Sequence, residues 1–113
     1  MTPNAAEHCE RPIIVTEQLV WQGRTLRIEF DPDWSGEEDP DFQIAHLEVF
    51  VEAPVKAPIP VTETGYRSHF VGPRFVLAAG GPAAFVRVWL DQEAKSRQWL
   101  RMDERWRQFD LFD

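Results

Sequence analysis

Two short runs of strict alternation constrain this chain most. In Thr25-Leu26-Arg27-Ile28-Glu29-Phe30 the apolar residues Leu26, Ile28 and Phe30 take every second position, and in Ile44 to Glu52 Leu47, Val49 and Val51 do the same. A period of two places one set of side chains on one side of an extended backbone and the other set on the opposite side, so each run reads as a strand with one dry and one wet face. Leu19-Val20-Trp21 precedes the first run, and Gln22-Gly23 between them suits a tight hairpin turn. The second run carries His46, Glu48, Phe50 and Glu52 on its mixed face, where Phe50 needs a cover.

Val61 to Val71 is expected to return as a further strand with a bulge or bend at Gly65, ended by Gly72-Pro73. The three prolines between Pro54 and Pro60 predict an extended connector ahead of it. Phe75 to Leu77 is a short apolar stretch of undecided type. Gly80-Gly81-Pro82 announces a helix, because proline fits the first helical position. Within it Val86, Leu90 and Ala94 recur every fourth residue, whereas Trp99, Met102, Trp106 and Phe109 form a stripe turned well away from that set. One straight helix cannot bury both. A break is therefore predicted at Lys95-Ser96, with Ser96 capping a second helix from Arg97 to about Phe109.

The expected fold is α+β, a small, mostly antiparallel sheet of three to five strands covered by a C-terminal helical segment. Residues 1–12 read as a loose leader, 13–109 as one domain, and 110–113 as a tail. Leu26, Ile28, Phe30, Leu47, Val49, Val51, Leu90, Trp99, Met102 and Trp106 are the predicted core. Five Trp and eight Phe make such a core feasible in 113 residues.

Charge narrows the function classes. With 19 acids against 12 bases the chain carries −7, which opposes direct binding to duplex DNA. The single cysteine, Cys9, permits no internal disulfide and no thiolate metal cluster. No signal-like or membrane-length apolar run is present, so a cytoplasmic location is expected. HExxH, G-x-S-x-G and phosphate-cradling glycine loops are all missing, and neither enzymatic activity nor a cofactor is expected.

Three features bear on binding. Gln108-Phe109-Asp110-Leu111-Phe112 resembles the peptide by which bacterial polymerases and repair proteins dock on the DNA sliding clamp, with Phe109 where that pattern prefers leucine. The resemblance implies that the Gln108 amide fills a polar subsite while Leu111 and Phe112 fill an apolar groove. The plainer alternative folds Leu111 and Phe112 back onto the sheet.

The second feature is acidic. Between Ile28 and Val55 there is no Lys or Arg but nine carboxylates, concentrated at Asp31, Asp33, Glu37, Glu38, Asp39 and Asp41. Such a tract can imitate a phosphate backbone and occupy another protein's nucleic-acid channel, serve only as a solvated loop, or hold calcium, although EF-hand spacing is lacking.

The third is Val61-Thr62-Glu63-Thr64-Gly65-Tyr66-Arg67-Ser68-His69-Phe70, which resembles a stretch in small proteins of bacterial plasmids and conjugative elements that have no assigned activity. That likeness, over residues 19 to 112, implies a mobile-element origin. Glu63, Tyr66, Arg67 and His69 form its polar cluster, with Glu63, Arg67 and His69 on one strand face as a candidate anion or carboxylate site, or simply a wet surface. His46, Glu48, Glu63 and His69 would make a metal-dependent hydrolase only if the strands paired in the right register. Arg97, Arg101 and Arg105 form a basic stripe on the last helix, expected to be a wet face.

The favoured reading is a non-enzymatic interaction protein of mobile-element origin that binds a host protein handling nucleic acid, the sliding clamp being the named candidate. The alternatives are an acidic inhibitor of a nucleic-acid-binding defence complex, of anti-CRISPR or anti-restriction type, and the metal-dependent hydrolase.

Overall fold

The computed structural model describes the backbone of residues 14–112 and the side chains of residues 14–108. Leader residues 1–12 lie outside the description. Four strands, β1 (Val15–Trp21), β2 (Arg24–Asp31), β3 (Ala45–Ala53) and β4 (Tyr66–Val71), form one antiparallel sheet in sequence order. Three helices follow: α1 (Pro73–Ala78), α2 (Pro82–Glu93) and α3 (Arg97–Phe112). The fold is α+β, as the alternating runs and the double helical stripe predict.

The first hairpin begins four residues earlier than Leu19. Gln22 and Gly23 both take positive φ, 43° and 79°, the backbone of a two-residue turn whose twist matches its strands. Leu19 and Trp21 then face Leu26 and Arg24 across the ladder. Leu26, Ile28, Phe30, Leu47 and Val49 are all buried on one side of the sheet, and Val86, Leu90 and Trp99 close that side from the helices. Val76 of α1 joins them, which assigns the undecided Phe75 to Leu77 stretch to a helix.

Three expectations need correction. The prolines of 54–60 do not make an extended connector. The segment folds in under the sheet, burying Ala57 and Ile59, and closes through paired backbone hydrogen bonds between Ile59 and Thr62 at 2.9 and 3.0 Å. The strand expected over Val61 to Val71 accordingly starts only at Tyr66. Gly65 makes the turn into it with φ of 90°, and a Cβ there would come within 3.3 Å of the Lys56 Cα.

Among the predicted core residues, Val51 and Met102 are only partly buried, and Trp106 stands half-buried outside the core. The reason is that α3 meets the rest of the molecule through its first two turns. Beyond Asp103, every side chain to Gln108 except Trp106 is exposed.

Those two turns are held by a group absent from the predicted core. Arg24 is buried at 5% exposure and donates from Nη1 to Gln22 O, from Nε to Pro58 O and from Nη2 to Asp103 Oδ1, at 2.9, 3.0 and 2.9 Å. Its guanidinium also lies 5.1 Å from the Trp99 ring centre. One side chain thus joins the hairpin turn, the proline segment and α3. Ser96 caps α3 as expected, its Oγ accepting from Trp99 N at 3.1 Å. The start of α2 is capped from a distance: Glu17 of β1 accepts from Ala83 N at 2.8 Å.

Candidate binding face

α2 packs most closely across β1 and β2, on one side of the sheet. Among the described residues no α-helix packs on the other side, and strand register decides what it displays. Cross-strand partners fall into three rows over β2, β3 and β4: Arg27, Phe50, Tyr66; Glu29, Glu48, Ser68; and Asp31, His46, Phe70.

Phe50 finds its cover within its own row. Arg27 lies 4.1 Å above its ring centre and the Tyr66 ring sits 5.1 Å away, tilted. Glu29 and Glu48 are opposed like charges, which by themselves would destabilise the pair. Arg27 relieves the first by pairing with Glu29 while also binding Glu52 at 2.9 Å. The Tyr66 hydroxyl relieves the second, donating to Glu48 Oε2 at 2.6 Å. That hydrogen bond is the main reason the Tyr66 pKa is raised above its ordinary value, with burial adding to it.

In the third row His46 stacks on Phe70 at 4.7 Å, and its Nε2 makes a 2.6 Å hydrogen bond with Ser68 Oγ. Trp34 then folds back from the acidic loop onto Phe70, ring centres 4.7 Å apart. The loop is ordered around it by its own side chains. Asp31 accepts from Asp33 N at 3.2 Å, Asp39 from Asp41 N at 3.0 Å, and Ser35 Oγ from Ile44 N at 3.0 Å.

The acidic tract and the open face are therefore one surface. Among the described residues of the sheet face, Glu29, Asp31, Glu48 and Glu52 stand against one guanidinium, Arg27, and Asp33, Glu37, Glu38, Asp39 and Asp41 extend the field, with Arg74 meeting Asp41 at 2.9 Å. Trp34, Phe70 and Tyr66 remain 52%, 50% and 42% exposed within it. The sequence pattern singled out the acids and Tyr66 but did not join Trp34 and Phe70 to them. Trp34 being the sole large apolar group of the loop, and Phe70 and Tyr66 sharing one strand parity, were the available signals.

The other predicted sites are placed differently. Alternation along β4 sends Tyr66, Ser68 and Phe70 to the open face and Arg67 and His69 to the helical side. Glu63 precedes the strand and lines a surface depression with Gln98, Arg101, Met102 and Arg105 of α3. The polar cluster of Glu63, Tyr66, Arg67 and His69 is thus divided over three places. The same register undoes the hydrolase set, because His46 and His69 lie on opposite sides of the sheet and Glu63 stands before β4, beside α3. Among the described residues no three His, Cys, Asp or Glu are grouped to hold a metal ion, and this includes the acidic loop.

His69 is instead packed among aromatics. Its ring is 4.5 Å from that of Trp89 and 6.4 Å from that of Phe85, and burial, helped by the charge on Arg67, holds its pKa below the ordinary histidine value. Arg97, Arg101 and Arg105 are exposed, as a wet face requires. The helix carrying Gln108 runs on to Phe112, where a frayed end was expected. The side chains of Phe109, Leu111 and Phe112, on which clamp docking depends, lie outside the described residues.

A family model described as the KlcB third domain matches residues 14–99. The chain belongs to the KlcB third-domain family. The match to a plasmid-associated KlcB domain is consistent with a mobile-element origin. The matched residues of this KlcB domain run from the start of β1 to Trp99, so they contain the whole open face and stop short of Gln108. No curated protein and no solved structure matches the chain. Among the described residues no helix is long and apolar enough to cross a membrane.

Proposed function

We propose that this KlcB domain is a non-enzymatic, cytoplasmic interaction module that binds a host protein handling nucleic acid, and that the open sheet face with its acidic loop is the contact surface. The observation that carries the reading is Trp34 laid on Phe70, which joins the loop carboxylates to an aromatic platform. Arginine and lysine side chains in a nucleic-acid groove are matched by both halves of such a surface. Carboxylates pair with them, and exposed rings accept them face-on for roughly 0.5–1 kcal/mol each. The surface supports the acidic-inhibitor form of the reading, in which the domain occupies a defence or replication protein where phosphates would lie.

The test is capture from host lysate across a salt series. Charge reversal of Glu37, Glu38, Asp39 and Asp41 to lysine, or Trp34→Ala with Phe70→Ala, should abolish capture, and wild-type binding should fall steeply with salt. Capture that survives both variants and is indifferent to salt would overturn the proposal. The sliding clamp stays a separate proposal resting on Gln108, Phe109, Leu111 and Phe112. Deleting Leu111 to Asp113 should eliminate clamp binding if it is right, and should leave the open-face partner in place.

A further inference from the structure

The helical layer does not cover the sheet evenly. α2 lies over β1 and β2, and β4 is the last strand of the sheet. Between β4 and the helices this leaves a recess of about 290 Å³ lined chiefly by His69, Phe75, Phe85, Val88 and Trp89. Phe75 and Val88 at its rim are 64% and 51% exposed.

The outer edge of β4 is itself unpaired. Gly65 O accepts from Val51 N, so by antiparallel alternation Arg67, His69 and Val71 turn their backbone groups toward β3, and Tyr66, Ser68 and Phe70 turn theirs outward. Among the described residues no backbone group meets that edge. Tyr66–Val71 carries no lysine, proline or bulge, and Arg67 is its one permanently charged side chain.

We propose that the β4 edge receives an extended acidic–apolar peptide segment of a partner as a fifth strand, with a large apolar side chain entering the His69–Trp89 recess. Charge complementarity selects the acidic character. Arg67 is the charged residue of this edge, and among the described residues it pairs with no carboxylate. Its Nη1 donates to Val61 O at 3.0 Å, and its guanidinium stands 5.5 Å from the Trp89 ring centre. Arg67 and His69 share a face two residues apart, so the incoming strand needs a carboxylate and an apolar group with that same spacing. The residue between them lands beside Ser68, flanked by Tyr66 and Phe70. Backbone pairing supplies affinity, and the recess and Arg67 supply selectivity. The recess and Arg67 lie on the helical side of β4, so variants at Phe75 and Arg67 test this proposal without touching the open-face residues.

The experiment uses the full chain and a fluorescein-labelled peptide alternating threonine with glutamate and phenylalanine. Anisotropy should show binding, hydrogen exchange should slow at Tyr66, Ser68 and Phe70, and N-methylation of alternate peptide amides should abolish both effects. Lysine in place of glutamate should weaken binding about tenfold, and Arg67→Glu should reverse that preference. Phe75→Ala, at an exposed position, should weaken binding without altering the fold. The proposal is overturned by absence of binding, by equal binding of the N-methylated peptide, or by protection on β1 in place of β4. Slowed exchange at the same three amides without peptide, accompanied by dimerisation, would equally overturn it in favour of a second copy.

Discussion

Arg24 shows how much one side chain can determine in a domain of this size. It is buried with Asp103, and two more of its five N–H groups are bonded to backbone carbonyls. Removing Asp103 leaves the Arg24 charge buried without a carboxylate, and removing Arg24 leaves Asp103 with only the exposed Arg107, 2.9 Å from its other oxygen, as counter-charge. Arg24→Ala or Asp103→Ala should therefore cost about 3–5 kcal/mol in urea unfolding. Replacing both with apolar residues of similar volume should recover most of that loss, and a double variant as unstable as the single ones would show that the geometry, not the charge, is what matters. His69 permits a second measurement. Its folded pKa lies below the unfolded value, so the native state binds its proton less readily than the unfolded chain does. The associated stability is complete above the unfolded pKa of about 6.5 and declines as pH falls through that value toward the folded pKa. Wild type should lose stability relative to His69→Gln between neutral pH and about pH 5. Parallel pH profiles of the two proteins would exclude the effect.

The elements are stabilised largely by groups outside themselves. α1 is only six residues long and could not persist alone; Val76, fully buried, fastens it to the core. α2 has proline at its first position and draws its capping carboxylate from Glu17 on β1, which ties helix start to sheet edge. α3 is capped locally by Ser96. The two caps should behave differently when removed. Ser96→Ala should lower stability by about 1 kcal/mol through α3 alone. Glu17→Ala should cost a comparable amount, and it should also speed amide exchange along α2, where Ser96→Ala should not. Trp21 adds a similar link, donating from Nε1 to Asp91 Oδ1 at 2.9 Å while packing against Trp99.

For the molecule as a whole, the two sides of the sheet divide stability from recognition. The helical side holds the buried cluster, and the open side holds Trp34, Phe70 and Tyr66 beside the carboxylates. Substitutions on the open side should accordingly leave the fold nearly untouched. Trp34→Ala should change unfolding free energy by no more than about 1 kcal/mol while removing partner capture. A large loss of stability in that variant would mean that the loop is part of the scaffold. The acidic loop should respond in the opposite sense to salt, becoming slightly more stable as its mutual repulsion is screened, even while its complex weakens.

The strands of the first hairpin and β3, the dry face of each, the break at Ser96 and the α+β class were legible in the sequence, because period and turn chemistry act over a few residues. Glu63 and His69 could not be placed the same way. Whether they met His46 depended on where β4 began and with which residues of β3 it aligned, and the folded 54–62 segment, held down by Arg24, decides that. Arg24 and Asp103 themselves read as ordinary surface charges 79 positions apart, and only the crossing of α3 over the hairpin turns them into a buried pair. Local pattern determines which side of an element is apolar. What the polar sides meet depends on contacts between distant segments, and those come into being only when the chain closes on itself.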